Sequence, residues 1–155
     1  MIQIGVIGSS MASDEEEKIA YEVGREIAKR GCILVCGGLG GVMESACKGA
    51  KDEGGITVGI IPSLNKEDAN PYVDVIIPTG YGLARNHLVV RASDVLIAVG
   101  GYIGTLSEIS FALNENKTVI GINSWELDER RITKGKYLKA KNAQEAVNMA
   151  INEVQ

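Results

Sequence analysis

The sequence predicts a single α/β domain over residues 1–155, a doubly wound and mainly parallel sheet flanked by helices in the Rossmann-like manner. Three observations predict it. Short β-rich apolar runs alternate along the chain with helical patterns. The strand runs are continuously apolar, as strands covered on both faces by helix crossovers require. Glycines, 19 of 155 residues or about 12% against an average near 7%, cluster where turns follow those runs. A chain of this length buries one full core and is short for two.

The elements follow in order. Ile2–Ile7 is the first strand, ending in the turn Gly5-Val6-Ile7-Gly8-Ser9-Ser10. Ser13–Arg30 is a surface helix: Ile19, Val23 and Ile27 recur every four residues, and Ser13 with Glu16 forms a capping box. Cys32–Cys36 is the second strand, with both thiols on one face, and Gly37-Gly38-Leu39-Gly40-Gly41 leads from it into the helix Gly41–Glu53. The strands Thr57–Ile61 and Val73–Ile77 are separated by Pro62–Pro71, whose Asn65, Lys66, Glu67, Asp68 and Asn70 make either a plain polar loop or a mobile rim. Helix Leu83–Ala92, strand Val95–Val99, helix Leu106–Asn114, strand Thr118–Ile122 and helix Ala143–Val154 complete the alternation. Between the last strand and the last helix lie Arg130, Arg131, Lys134, Lys136, Lys139 and Lys141, a solvated edge or a docking site for an acidic partner.

Open α/β sheets bind ligands beyond the carboxyl ends of their strands, so each of the three glycine turns is a candidate phosphate site. The first opens a helix that begins Asp14-Glu15-Glu16-Glu17, which places four carboxylates at the positive end of the helix dipole and repels phosphate. Gly8 and Ser9 are therefore expected to line the cleft against a sugar or base. The spacing also fails the GxGxxG dinucleotide fingerprint. In the second turn, four glycines in five residues exceed what strand-to-helix packing needs, and Gly37 and Gly38 are expected to line the cleft too. The third turn, Gly100-Gly101-Tyr102-Ile103-Gly104-Thr105, opens a helix with no acid before Glu108, so free N–H groups, the dipole and a hydroxyl converge on one anion-sized spot. Phosphate is expected on Gly100, Gly101, Gly104 and Thr105, and a side chain at Gly101 is expected to block it while leaving the fold intact. Glu108 has a structural alternative as the far end of a capping box with Thr105, and Arg85 as a surface arginine. His87, the only histidine, has no assigned role.

Composition narrows the function classes. A net charge of −4 disfavours nucleic acid, and no apolar run is long enough to span a bilayer. The odd number of cysteines and the strand pattern on which the chain opens point to a reducing cytoplasm. Cys32, Cys36 and Cys47 are an odd number with a single histidine and no CxxC, so they read as free buried thiols, with no metal site.

The GG-x-GG-VME turn at Gly37–Glu44, Arg85, and GG-x-x-GT-x-x-E at Gly100–Glu108 together resemble the Lonely Guy superfamily, long labelled lysine decarboxylases. The resemblance covers nearly the whole chain, and Arg85 stands 23 residues before Glu108, as its signature leads one to expect. It implies a nucleoside 5′-monophosphate phosphoribohydrolase, releasing free base and ribose 5-phosphate, in which Arg85 orients substrate and Glu108 stabilises the oxocarbenium-like transition state. Four departures, Val99-Gly100 in place of the signature proline, an extra residue inside that glycine turn, Leu39 within the earlier glycine run and Asn86 after the arginine, look closer to the branch that includes a molybdenum-cofactor carrier. That branch implies binding rather than turnover: no required cofactor, a bound nucleotide or molybdopterin-type ligand, and a homo-oligomer, dimer or tetramer. Both readings use one phosphate site, with Arg85 pairing with the anion.

Overall fold

The computed structural model describes residues 1–155 as one seven-stranded sheet in the order β4-β3-β2-β1-β5-β6-β7, with every neighbouring pair parallel. The strands are β1 (Gln3–Gly8), β2 (Ile33–Cys36), β3 (Ile56–Ile61), β4 (Val75–Pro78), β5 (Val95–Val99), β6 (Thr118–Ile122) and β7 (Lys136–Lys139). The helices are α1 (Asp14–Lys29), α2 (Val42–Asp52), α3 (Arg85–Ala92), α4 (Ile103–Asn114) and α5 (Ala143–Val154). The chain winds outward from β1 to β4, returns to lay β5 beside β1, then winds outward the other way.

The doubly wound core follows from the apolar strands. Along β5 every residue is buried: Val95, Ile97 and Val99 pack with α1, α2 and α5, while Leu96 and Ala98 pack with α3 and α4. The stripe Ala20, Val23 and Ile27 seats α1, and the capping box holds its start: Ser13 N–H donates to Glu16 Oε1 (2.9 Å) and Glu16 N–H to Ser13 Oγ (3.1 Å). α1 and α2 touch backbone to backbone through two glycines. A Cβ on Gly24 would lie inside van der Waals contact of the Ala46 carbonyl oxygen, and one on Gly49 inside that of the Tyr21 carbonyl.

Three boundaries differ from expectation, each for a physical reason. The basic stretch contains a seventh strand, β7, whose Lys136 and Lys139 stay exposed at the sheet edge, so no apolar run announces it. α4 begins at Ile103, with Tyr102 as its N-cap and no side-chain cap, so Thr105 and Glu108 lie inside the helix and form no capping box. The Leu83–Ala92 pattern divides into a 3-10 turn at Gly82–Ala84 and α3 proper. The three cysteines are free and buried; Cys36 and Cys47 lie Sγ to Sγ at 3.5 Å within the core. No helix is long and apolar enough to cross a membrane.

Candidate functional site

Where β1 and β5 run side by side, their following helices depart to opposite faces, and a cleft of about 250 Å³ opens beyond the carboxyl ends. Its walls are Gly8, Ser9 and Ser10 after β1; Gly37, Leu39 and Met43 after β2; Leu83, Arg85 and Asn86 at the start of α3; and Tyr102, Gly104, Thr105 and Glu108 on α4.

Arg85 is the centre of the arrangement. It is only 6% exposed, and its Nη2 donates to the Gly37 carbonyl at 3.3 Å. A Cβ on Gly37 would stand 2.7 Å from that nitrogen, so the glycine is what admits the guanidinium beneath the turn. Arg85 Nε has no partner, nor has the buried Oδ1 of Asn86 next to it. Burial pulls the Arg85 pKa down, opposed by the negative charge of Glu108. Glu108 is half-buried on the same cleft, and burial pushes its carboxyl up to about 7 while Arg85 holds it back from rising further.

The pH consequence has a definite sign. A carboxyl whose folded pKa lies above its unfolded value contributes stability below the unfolded value, near 4.3, and loses it as pH rises through the folded one. Glu108→Gln is therefore expected to unfold at nearly the wild-type temperature at pH 4.5 and at a higher temperature from pH 7 upward. Thermal melts across pH 4.5–8.5 check this; parallel curves for the two proteins would refute the shifted carboxyl.

The third glycine turn is built differently from the expectation. Gly100 and Gly101 adopt positive φ, +55° and +99°. Gly100 N–H donates to the Ile122 carbonyl (3.0 Å), Ser124 Oγ donates to the Gly100 carbonyl (2.6 Å), and Gly101 N–H donates to Glu16 Oε2 (3.2 Å). These contacts hold the turn, and neither glycine lines the cleft. The acid-free start read from the sequence is thus not acid-free in space, because Glu16 reaches it from α1, its charge favoured by the amides of Ser13 and Gly101. A side chain at Gly101 would collide with Thr105 as well as strain the backbone, so Gly101→Val perturbs the fold rather than binding alone.

What remains open is the first turn of α4. It has no acidic residue and no capping side chain; Gly104 is exposed with open space where a Cβ would stand, and Thr105 is buried beside it. The dipole and uncapped N–H groups of this helix can hold an anion on the cleft wall. Gly8 packs its Cα against Val42, with a Cβ position 2.8 Å from that side chain, and Ser9 Oγ accepts from Met11 N–H (2.9 Å). Gly38 lies outside the cleft: at φ +75° it packs on Ile61, and its carbonyl accepts Asn70 N–H (2.9 Å). Of the expected residues, Gly8, Ser9, Gly37, Arg85, Gly104, Thr105 and Glu108 meet at the cleft; Gly38, Gly100 and Gly101 do not line it. Leu83 and Tyr102 line it without having been singled out, although an aromatic set among turn glycines is a readable signal.

A family model, the SLOG cluster4 family, matches residues 1–152. The chain belongs to that family. Among solved structures, this SLOG cluster4 member is similar to the molybdenum cofactor binding protein of Rippkaea orientalis, at 36% identity and a TM-score of 0.90, covering 99% of this chain and 98% of that one. It is also similar to the molybdenum cofactor carrier protein of Chlamydomonas reinhardtii, at 31% identity and a TM-score of 0.85 over 99% and 98% of the two chains. Among sequences it is 34% identical over 118 residues to the cytokinin riboside 5′-monophosphate phosphoribohydrolase of Mycobacterium tuberculosis, 70% of this chain and 63% of that protein. The SLOG cluster4 chain thus stands in the Lonely Guy superfamily near its molybdenum-cofactor carrier branch.

Proposed function

We propose that this protein is a binding module for a small phosphorylated ligand of the pterin type, such as the molybdenum cofactor, and that the β1/β5 cleft holds it. The observation that carries the reading is Arg85: a nine-tenths-buried guanidinium with an unpaired Nε, lining the same cleft as the uncapped start of α4. The ligand's phosphate rests on Gly104 and Thr105 with Arg85 as its counter-charge, and Gly8, Ser9 and Gly37 line the rest. No group of three or more His, Cys, Asp or Glu side chains is placed to ligate a metal, so a metal carried by the ligand would keep the donors of its own pterin. The end-to-end likeness to two proteins described as binding or carrying the molybdenum cofactor supports this choice of ligand.

A second reading is supported by Glu108. A carboxyl near pH 7 beside an arginine is suited to general acid–base work on a ribosyl bond, and the mycobacterial relative is a phosphoribohydrolase. One experiment separates them. Mass spectrometry and metal analysis of small molecules released from the denatured, freshly purified protein are expected to show a phosphorylated pterin, and purine monophosphates incubated with the protein are expected to release no ribose 5-phosphate. Release by the wild type that is lost in Glu108→Gln would overturn the binding reading in favour of hydrolysis.

A further inference from the structure

We propose that Tyr102 and Leu83 form a ring-binding wall that selects planar heteroaromatic phosphates over sugar phosphates; the phosphate end of this rests on the reading above. Four of the six large apolar residues of the cleft belong to the core or pack on it: Val6, Ile7 and Met43 are buried, and Leu39 is partly buried against the core. Tyr102 and Leu83 are different. They are 62% and 84% exposed, and they are the two strongly exposed large apolar side chains among the cleft residues. Neither is recruited by the core, yet each is carried by a held segment. The Tyr102 carbonyl accepts Trp125 Nε1–H and Leu106 N–H, both at 3.0 Å, so its backbone is fixed while its ring stands free. Leu83 sits in the 3-10 turn before α3, where Gly82 N–H is tied to the Pro62 carbonyl at 3.0 Å.

The chemistry of the wall identifies its occupant. Tyr102 is the only aromatic residue lining the cleft, and it is the N-cap of α4, so the ring is carried next to the uncapped amides of that helix. A sugar phosphate would satisfy the amides and leave both apolar surfaces wet. A flat heterocycle covers them, and its face stacks on tyrosine whatever its edge substituents.

Three probes separate the two ends of the cleft: pterin, a ring without phosphate; ribose 5-phosphate, a phosphate without ring; and guanosine 5′-monophosphate, with both. Calorimetric titration is expected to show Tyr102→Ala losing roughly 5- to 100-fold in affinity for pterin and guanosine monophosphate, the range of single base–aromatic stacks. Tyr102→Phe is expected to bind like wild type, Leu83→Ser to show a smaller loss for the same two probes, and all three variants to hold ribose 5-phosphate unchanged. Because both side chains are exposed, these variants should melt close to wild type. The proposal is overturned if Tyr102→Ala binds the ring-bearing probes as wild type does, if wild type binds guanosine 5′-monophosphate no more tightly than ribose 5-phosphate, or if the variants alter oligomeric mass by light scattering instead of ring affinity. Tyr102-dependent pterin binding without any binding of ribose 5-phosphate would leave the ring wall standing and refute the phosphate seat.

Discussion

Replacing Arg85 with methionine is expected to weaken binding of guanosine 5′-monophosphate by about 10- to 100-fold, since a charge-assisted hydrogen bond contributes about 1.5–3 kcal/mol. The same substitution is expected to stabilise the ligand-free protein at pH 6. Arg85 is a desolvated charge with one weak bond to Gly37 and an unpaired Nε, and methionine removes that burden while filling much of the space. At pH 6 Glu108, with its pKa near 7, is mostly protonated and leaves no bare charge behind. Arg85 also holds the Glu108 pKa down, so its loss moves the carboxyl titration upward, and the stability gain should shrink above pH 8 as Glu108 ionises without a counter-charge. Calorimetry and thermal melts at pH 6 and pH 8.5 read both effects. A variant that binds as wild type, or melts lower at pH 6, would show Arg85 to be a structural residue.

Gly24→Val is expected to cost more stability than any cleft substitution. The clash falls on the Ala46 carbonyl oxygen, a backbone atom within α2 that cannot rotate away, so α1 and α2 must separate. Overpacking of this kind costs about 1–3 kcal/mol and occasionally more, and each kcal/mol lowers the melting temperature by about 2–4 °C in a domain of this size. The effect reaches the site, because α2 delivers Val42 against Gly8 and Met43 to the cleft wall. Gly104→Ala is the control: its Cβ meets nothing and its φ is ordinary, so the ligand-free protein should melt at or slightly above wild type. A Gly24→Val protein that melts within about 1 °C of wild type would mean the helices can slide apart without loss.

Much of this molecule is legible in local pattern. The six apolar runs are strands, the Ile19, Val23 and Ile27 stripe with the Ser13 and Glu16 box makes α1, and the parallel doubly wound class follows from strands that are apolar on both faces. These signals repeat over two to four residues and depend on neighbours in sequence. β7 escaped them because an edge strand with exposed lysines has no apolar period to display.

The cleft divides along the same line. By itself the sequence determined that the chain has an α/β sheet with glycine turns at its carboxyl edge, and marked Arg85, Gly104, Thr105 and Glu108 as residues of interest. Only the tertiary structure decided which turn is free. Glu16 and Gly101 are 85 positions apart, and Arg85 and Gly37 are 48 apart. Whether a carboxylate fills one turn, or a guanidinium slides beneath another, depends on how β1, β2 and β5 are ordered in the sheet and how closely their helices pack. Local periodicity carries no information about such contacts, because their energies arise from the burial and pairing of groups that only the closed core brings together.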